Sequence, residues 1–383
     1  MNSSFIPYGR PVVEEEDIAA VADVLRSDWL TTGPLVERFE QAFASYVGAA
    51  HAVAASSGTA ALHLCMLAAG IGSGDEVIVP ALTFAASANC ARYTGATVVF
   101  ADVRADTLTV DVDHVASLIT PRTRAIVTVD YGGLPSDLDE LGELARRHGL
   151  MLVEDACHAP GAEYRGRKVG SIAHMTAFSF HPVKHLTTAE GGMVTTADAA
   201  FAERLRRYRN HGIDTDHRKR EQQGTWQYDM VVLGFNYRLN DVQCALGLSQ
   251  LRRLPQSVER RRALAARYHE SLGESPLLRV QSVPDDRKHS WHLYAVRLAG
   301  ENPSEARANV YTALRAAQIG VNVHYLPVYW HSYYKALGYA QGLCPVAERA
   351  YAGLLSLPMW HGLTDAAQDR VIDSLKSALH RHV

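Results

Sequence analysis

The sequence predicts an α/β protein: a mostly parallel central sheet in a large domain flanked by helices, followed by a smaller α+β C-terminal domain. Three observations lead to it. From about residue 50 onward, short apolar runs alternate with amphipathic stretches, the pattern of strand–helix units. Several of these runs are continuously apolar, as in parallel strands covered on both faces. Around residue 250 the character changes to helical patterns framing one alternating run. At 383 residues there is room for two or three domains and a sizeable core.

Taken in order, residues 14–27 and 34–47 read as two short amphipathic helices around the turn Thr31-Thr32-Gly33-Pro34, an N-terminal helical arm. Ser56-Ser57-Gly58-Thr59 opens an Ala/Leu-rich helix to Ala69. Glu76-Val77-Ile78-Val79 is a buried strand, residues 83–94 a helix, and Thr97 to Val103 and Ala125 to Val129 two further strands. Leu138, Leu141, Leu144 and Ala145 share one face of a helix that stops at Gly149. Leu150 to Val153 is a strand ending in Glu154-Asp155, and Thr176 to Phe180 and Met193 to Thr196 are short strands. A domain change is expected near residues 248–256, giving a large domain over 1–250 and a small one over 251–383. In the second part, Leu264, Ala265, Tyr268 and Leu272 begin a helical stretch, Trp291 to Leu298 alternates as a strand, and Val371, Ile372, Leu375 and Leu379 mark a last amphipathic helix.

Composition excludes several classes. Lys+Arg 38 against Asp+Glu 41 leaves a net charge of −3, against a nucleic-acid binder driven by global charge. The five cysteines are scattered without a CxxC, so a reducing, cytoplasmic setting is expected. The N-terminus MNSSFIPYGRPVVEEE lacks the basic and apolar regions of a signal peptide, and no apolar stretch approaches the ~20 residues that span a bilayer. There is no HExxH, Walker A or GxSxG pattern, and Gly70, Gly72 and Gly74 do not form the dinucleotide fingerprint. Only six of the 38 basic residues are lysine, so each lysine stands where arginine, used almost everywhere else, was not taken.

One of them is Lys184, in Phe178-Ser179-Phe180-His181-Pro182-Val183-Lys184-His185, just after a buried strand. Its neighbours are apolar or glycine-rich, and Thr187-Thr188-Ala189-Glu190-Gly191-Gly192 allows a tight turn close to a ligand. A lysine in a dry pocket has a lowered pKa and can form a Schiff base. Asp155 ends a hydrophobic strand, where α/β sheets place their ligands; read alone it is equally a turn or cap residue. A carboxylate there suits the protonated pyridine nitrogen of pyridoxal phosphate (PLP). His158 is either a core histidine or a neighbour of the cofactor's ring hydroxyl. Ser56-Ser57-Gly58-Thr59 before a helix suits a phosphate, although alone it is an ordinary N-cap. Ser179 can add a hydroxyl to the same phosphate, and Phe84 can stack on an aromatic ring or simply fill the core. His181 and His185 stand four apart, but Pro182 between them and the lack of a third ligand speak against a metal. The run Arg260-Arg261-Arg262 reads as the solvated face of a helix.

Seven segments, TTGPLVERFE, AVAASSGTAALHL, DEVIVPALTFAASANC, VEDACHAPGAEYRGRKVGS, FSFHPVKHLTTAEGGMV, LGFNYRLNDVQCALGLSQL and NVHYLPVY, resemble in joint order and spacing the PLP-dependent sugar aminotransferases of the DegT family, in the fold-type-I aspartate aminotransferase superfamily. The resemblance covers nearly the whole chain. It is nearest to the branch that aminates C4 of a UDP-linked 4-keto-6-deoxy-N-acetylhexosamine in the pseudaminic acid pathway. Tyr131-Gly132-Gly133-Leu134-Pro135-Ser136 departs from the Ala-Gly-Gln-Pro-Cys type of run expected in that branch.

The resemblance implies roles. Lys184 is the Schiff-base lysine and Asp155 the partner of the pyridine nitrogen. His158 sits beside the ring hydroxyl and Phe84 stacks on the ring. Gly58, Thr59 and Ser179 hold the phosphate, with Asn236 from the neighbouring subunit of a homodimer. Tyr8, Thr31, Gly33, His185, Tyr237, Arg238, His324 and Tyr325 border the substrates, L-glutamate and a UDP-4-keto sugar, which react by a ping-pong mechanism. No nucleic acid, membrane or metal enters this reading. Sugar 3-dehydratases of the same family carry histidine where this chain has Lys184. An aminotransferase for another keto sugar or a cyclitol ketone, and a non-catalytic PLP-binding regulator, are the alternatives.

Overall fold

The computed structural model describes residues 5–215, 220 and 224–382. The apolar runs become a seven-stranded sheet of β1 (His51–Ala55), β2 (Glu76–Pro80), β3 (Thr97–Ala101), β4 (Thr123–Val129), β5 (Met151–Asp155), β8 (Met175–Ser179) and β9 (Gly192–Thr196), with the two-residue strands β6 (Glu163–Tyr164) and β7 (Arg167–Lys168) lying outside it. The order is β1-β9-β8-β5-β4-β2-β3. All pairs from β8 to β3 are parallel; β9 alone runs against its neighbours. β2, β8 and β9 are buried along their whole length, which is why their sequences do not alternate.

The cover is helical. α1 (Glu15–Leu25) and α2 (Pro34–Val47) form the N-terminal arm. α3 (Gly58–Ala68) packs on β8 and β9, followed by α4 (Ala85–Tyr93) and α5 (Val112–Ser117). α6 (Leu138–His148) buries Leu138, Leu141, Leu144 and Ala145, and Gly149 ends it in the left-handed region at φ 64°. α7 (Ala199–Arg209) lies against α3 and β1.

The domain change expected near 248–256 falls inside one continuous helix, α8 (Asp241–Leu272), 32 residues long and capped by Asn240, whose side chain accepts from Gln243 N at 2.9 Å. α8 packs against α1 and α2, and its later residues Leu264, Ala265, Tyr268 and Leu272 enter a second core. That core joins β10 (Leu278–Val280), β12 (Tyr294–Leu298) and β13 (Leu354–Leu357) with α9 (Pro303–Ala316) and α12 (Asp365–His382); the two-residue β11 (Arg287–Lys288) pairs with β6, and the short helices α10 (Ser332–Ala336) and α11 (Pro345–Gly353) precede β13. Two local expectations are corrected. The alternating run does not become strand at Trp291, because Trp291 takes a left-handed φ of 55°; pairing starts at Tyr294. Nor is Arg260-Arg261-Arg262 a solvated face: Arg261 is 1% exposed, drawn inward by the backbone carbonyls of Trp291, His292 and Met359. No helix among the described residues is long and apolar enough to cross a membrane.

Candidate active site

Met151–Val153 bury β5 and leave Asp155 at its C-terminal end, the edge where open α/β sheets bind ligands. One Asp155 oxygen accepts from Ser87 Oγ at 2.6 Å, the other from Cys157 N at 3.1 Å. Ser87 is itself tied to Thr83 at 2.7 Å, so the first turn of α4 holds the acid in place. Lys184 lies in the loop between β8 and β9, which Phe180 N to Gly191 O and Thr188 N to Phe180 O close at its base. Its Nζ is 3.5 Å from His292 Nε2. Burial lowers the Lys184 pKa below the ordinary lysine value, against the opposing pull of Cys157 and Asp155.

The N-terminus of α3 opens beside these two residues. Ser57 caps it, accepting from Ala60 N at 3.0 Å. A Cβ added at Gly58 would stand 2.8 Å from Ser179 Cβ and 3.1 Å from Cys157 Sγ, so only glycine lets the helix end approach β8 this closely. The first backbone N–H groups of a helix have no partner within it, and here they face a serine hydroxyl at the end of a strand, a ready anion cradle. Gly192 closes the other side: a Cβ there would meet Ser57 O at 2.3 Å.

Aromatic and histidine side chains form the remaining wall. Phe84, at the N-cap of α4, is 57% exposed although Leu82 and Thr83 before it are buried, and its ring centroid is 5.8 Å from that of Tyr325. Tyr325 Oη is 3.1 Å from His158 Nε2. His158 and His292 overlap at 4.3 Å between centroids, and burial keeps both well below the ordinary imidazole pKa, hence uncharged. Tyr8 lies 5.5 Å from His324, whose ring is held by Ser356 Oγ at 2.8 Å and Asn322 Nδ2 at 3.2 Å. Burial pushes His324 down to about 4. The Tyr131 hydroxyl donates to the His324 backbone oxygen.

Lys184, Asp155, His158, Gly58, Ser179, Phe84, Tyr325, His324 and Tyr8 thus gather at one end of the sheet, with Thr59 in the first turn of α3. Other predicted residues do not join them in the single chain. His185 is buried behind Lys184, its Nε2 2.9 Å from Ser290 O, while His181 is exposed. Gly33 N donates to Asp241 at 2.7 Å and Arg238 Nη1 to Asn210 Oδ1 at 2.8 Å. Both line a separate cavity of about 800 Å³ with Glu40, Arg206 and Arg209, and Lys184 is not among its walls. Thr31 is exposed in the turn beside Gly33. Tyr237 accepts from Ser56 N through its carbonyl at 2.8 Å and lies 3.2 Å from His63 Nδ1 through its hydroxyl. Asn236 is exposed, its backbone bridged to Asn210. Sequence reasoning missed Ser87, His292 and Arg261. Ser87 carried a faint signal, a lone hydroxyl in an alanine-rich first turn; the other two had none nearby in the chain.

These residues fit PLP: a cradle too tight for any side chain at Gly58, a strand-end carboxylate, a half-buried lysine with lowered pKa, and an exposed aromatic ring at the mouth. Fold and site together fit a transferase of the α/β type with a lysine and a carboxylate brought together at the sheet end. Comparison with known proteins agrees. Residues 11–376 match the model of the DegT/DnrJ/EryC1/StrS aminotransferase family, and the chain belongs to that family. It is 42% identical over 375 residues to the spore coat polysaccharide biosynthesis protein SpsC of Bacillus subtilis, covering 97% of this chain and 96% of that one. Among solved structures it is similar to Spr1654 of Streptococcus pneumoniae, known in a PLP-form and a PMP-form, at 33% identity with TM-scores of 0.93 and 0.94 over 99% of this chain and 100% of that one. It also resembles Helicobacter pylori PseC, an aminotransferase involved in the biosynthesis of pseudoaminic acid, at 31% identity and a TM-score of 0.92, covering 99% of this chain and 100% of that one. The chain is accordingly a PLP-dependent aminotransferase of the sugar-modifying kind.

Proposed function

We propose that the chain moves the amino group of L-glutamate to the C4 keto group of a UDP-linked 4-keto-6-deoxy-N-acetylhexosamine in a ping-pong reaction, working as a cytoplasmic homodimer. The observation that carries this reading is the meeting of Lys184, Asp155 and the Gly58 cradle at one sheet end. Bound PLP supplies an electron sink for the carbon losing its proton. Lys184 would hold the cofactor, and its Nζ, as a free amine, would take the proton from the donor's Cα. Asp155, fixed by Ser87 and Cys157, holds the proton on the pyridine nitrogen. Gly58, Thr59 and Ser179 bind the phosphate, His158 stands beside the ring hydroxyl, and Phe84 covers the ring. Tyr8, His324 and Tyr325 border the entering sugar, where the likeness to PseC, an aminotransferase involved in the biosynthesis of pseudoaminic acid, supports a sugar acceptor.

The homodimer is supported by residues 224–235, which carry Trp226 at 84% and Leu233 at 79% exposure, with Tyr228, Met230 and Val231 also exposed. Apolar side chains in such a stretch call for a covering surface, and the stretch leads directly into Asn236, Tyr237 and Arg238. In this reading those residues, with Thr31 and Gly33, reach the site of the partner subunit. A different keto sugar or cyclitol as acceptor is the second reading. It is favoured by the run Tyr131–Ser136, which departs from the pseudaminic branch and whose Tyr131 hydroxyl binds the backbone of His324.

A panel of 4-keto sugar nucleotides and cyclitol ketones incubated with L-glutamate and read by mass spectrometry tests the acceptor; turnover of non-sugar ketones alone rejects the UDP-sugar reading. Mixing Lys184→Ala with Asn236→Ala subunits tests the shared site. Mixed dimers should regain activity that neither variant has alone, and no regain rejects it.

A further inference from the structure

The segment from Lys288 to Leu293 is clamped at almost every residue. Ser290 N donates to Gly133 O at 3.0 Å and Leu293 N to Gly132 O at 3.1 Å. Ser290 Oγ donates to His158 O at 3.1 Å, and Ser290 O accepts from His185 Nε2 at 2.9 Å. His289 stacks on Trp291 at 3.8 Å and 3°. Arg261, with no ion pair to a carboxylate among the described residues, donates to the carbonyls of Trp291 at 3.0 Å and His292 at 3.4 Å. Within this clamp Trp291 holds φ 55°, a backbone region that bulky residues avoid and that persists only where the surroundings enforce it. The consequence of the forced turn is a single side-chain placement: His292, 5% exposed, aims Nε2 at Lys184 Nζ from 3.5 Å.

Which proton His292 carries follows from its surroundings. Its Nδ1 is buried without a partner. A buried N–H without a partner is rarer and costlier than an unfilled lone pair, so the ring proton belongs on Nε2 and Nδ1 is bare. His185 shows the same arrangement, with Nε2 on a carbonyl oxygen, which requires a proton there, and a bare Nδ1. An Nε2–H facing an amine at that distance makes a hydrogen bond only if the amine offers its lone pair.

We propose that His292 is a positioning residue for Lys184, donating from Nε2 to the uncharged Nζ and so holding the lysine as the free base between its two tasks. A hydrogen bond to the neutral form favours that form. The groups facing Lys184 divide. Asp155 and Cys157 favour its charge; burial and Arg261 oppose it. His158, His185 and His324, kept neutral by burial, add no charge of their own. The inference rests on Lys184 being the cofactor lysine.

The test uses the full chain freed of cofactor. Acylation of Lys184 as a function of pH, followed by peptide mass mapping, gives the midpoint of its free-base form, and with only six lysines in the sequence the mapping is unambiguous. In His292→Phe the midpoint should rise by about one pH unit, a tenfold smaller free-base fraction at neutral pH, as expected for losing one hydrogen bond. His292→Gln, which keeps an N–H donor, should restore most of the shift. An unchanged midpoint in His292→Phe overturns the proposal. Ring-¹⁵N labelling of histidine in the wild-type protein needs no variant: a proton found on Nδ1 of His292 also overturns it. Borohydride reduction of the wild-type holoenzyme separates the two layers. A cofactor adduct absent from Lys184 rejects the assignment of the lysine itself, whereas an adduct on Lys184 with an unmoved midpoint rejects only the role of His292.

Discussion

Replacing Glu154 by glutamine should make the protein more stable at neutral pH and leave it nearly unchanged in acid. Glu154 on β5 and Asp130 just past the end of β4 are both fully buried, and Asp130 N donates to Asp155 O at 3.2 Å. The carboxyls perturb each other's titration, and Asp130 Oδ2 and Glu154 Oε1 are buried without a hydrogen-bond donor. Two such oxygens can bond only through a shared proton. Burial, with the Glu154 charge beside it, therefore holds Asp130 well above the usual carboxylate range, and burial, with the Asp155 charge nearby, pushes Glu154 from 4.5 to about 7. Because the unfolded chain releases this proton near 4.5 and the folded chain keeps it to about 7, stability falls as pH rises through that window. Keeping the proton over that interval withholds about 3 kcal/mol at pH 7 and above. Glutamine preserves the geometry: its carbonyl accepts from Thr176 Oγ1, which lies 2.7 Å from Glu154 Oε2, and its amide supplies the N–H for Asp130. Urea unfolding of both proteins at matched concentration between pH 5 and 8 is the assay. The stability difference should grow up to pH 7 and then level off. A difference that stays flat with pH would refute the shared proton.

Other outcomes follow from the same geometry. Lys184→Ala should abolish turnover and covalent cofactor attachment, read by loss of the visible absorbance; normal turnover would show that another residue anchors PLP. Gly58→Ala drives a methyl to 2.8 Å from Ser179 Cβ, and overpacking of that kind costs about 1–3 kcal/mol. Cofactor affinity should fall roughly tenfold or more by equilibrium dialysis, and unchanged affinity would place the phosphate elsewhere. Ser87→Ala removes a 2.6 Å charge-assisted bond from Asp155, a contact worth about 1.5–3 kcal/mol. PLP binding should weaken while the N-terminal arm and second core keep their thermal stability.

Much of this molecule is legible along the chain because its information is local. The β2 and β8 strands are written as unbroken apolar runs, α6 as a four-residue face ending in glycine, and the α3 cap as Ser57-Gly58-Thr59. Lys184 and Asp155 stand out for the same reason: each is a charged residue attached to an apolar strand. The second unit was harder. Its β12 strand reads as starting at Trp291, and Arg261 reads as solvent-facing, because a three-arginine run on a helix looks the same whether or not carbonyls wait beneath one of its members.

The sequence by itself determined the alternation of strands and helices, the glycine at the cradle, the carboxylate at the end of one buried strand and the lysine in the loop after another, since periodicity, cap chemistry and the cost of burying charge act over a few residues. Only the tertiary structure decided that His292 meets Lys184 and that Ser87 holds Asp155. It alone turned Arg261 inward and set Gly33 and Arg238 on a cavity apart from Lys184. These depend on contacts between residues 208 positions apart for Gly33 and Asp241 and 108 for Lys184 and His292. Such a contact exists only when a clamped backbone, here the turn at Trp291, delivers the side chain, and nothing in the neighbouring residues encodes that delivery.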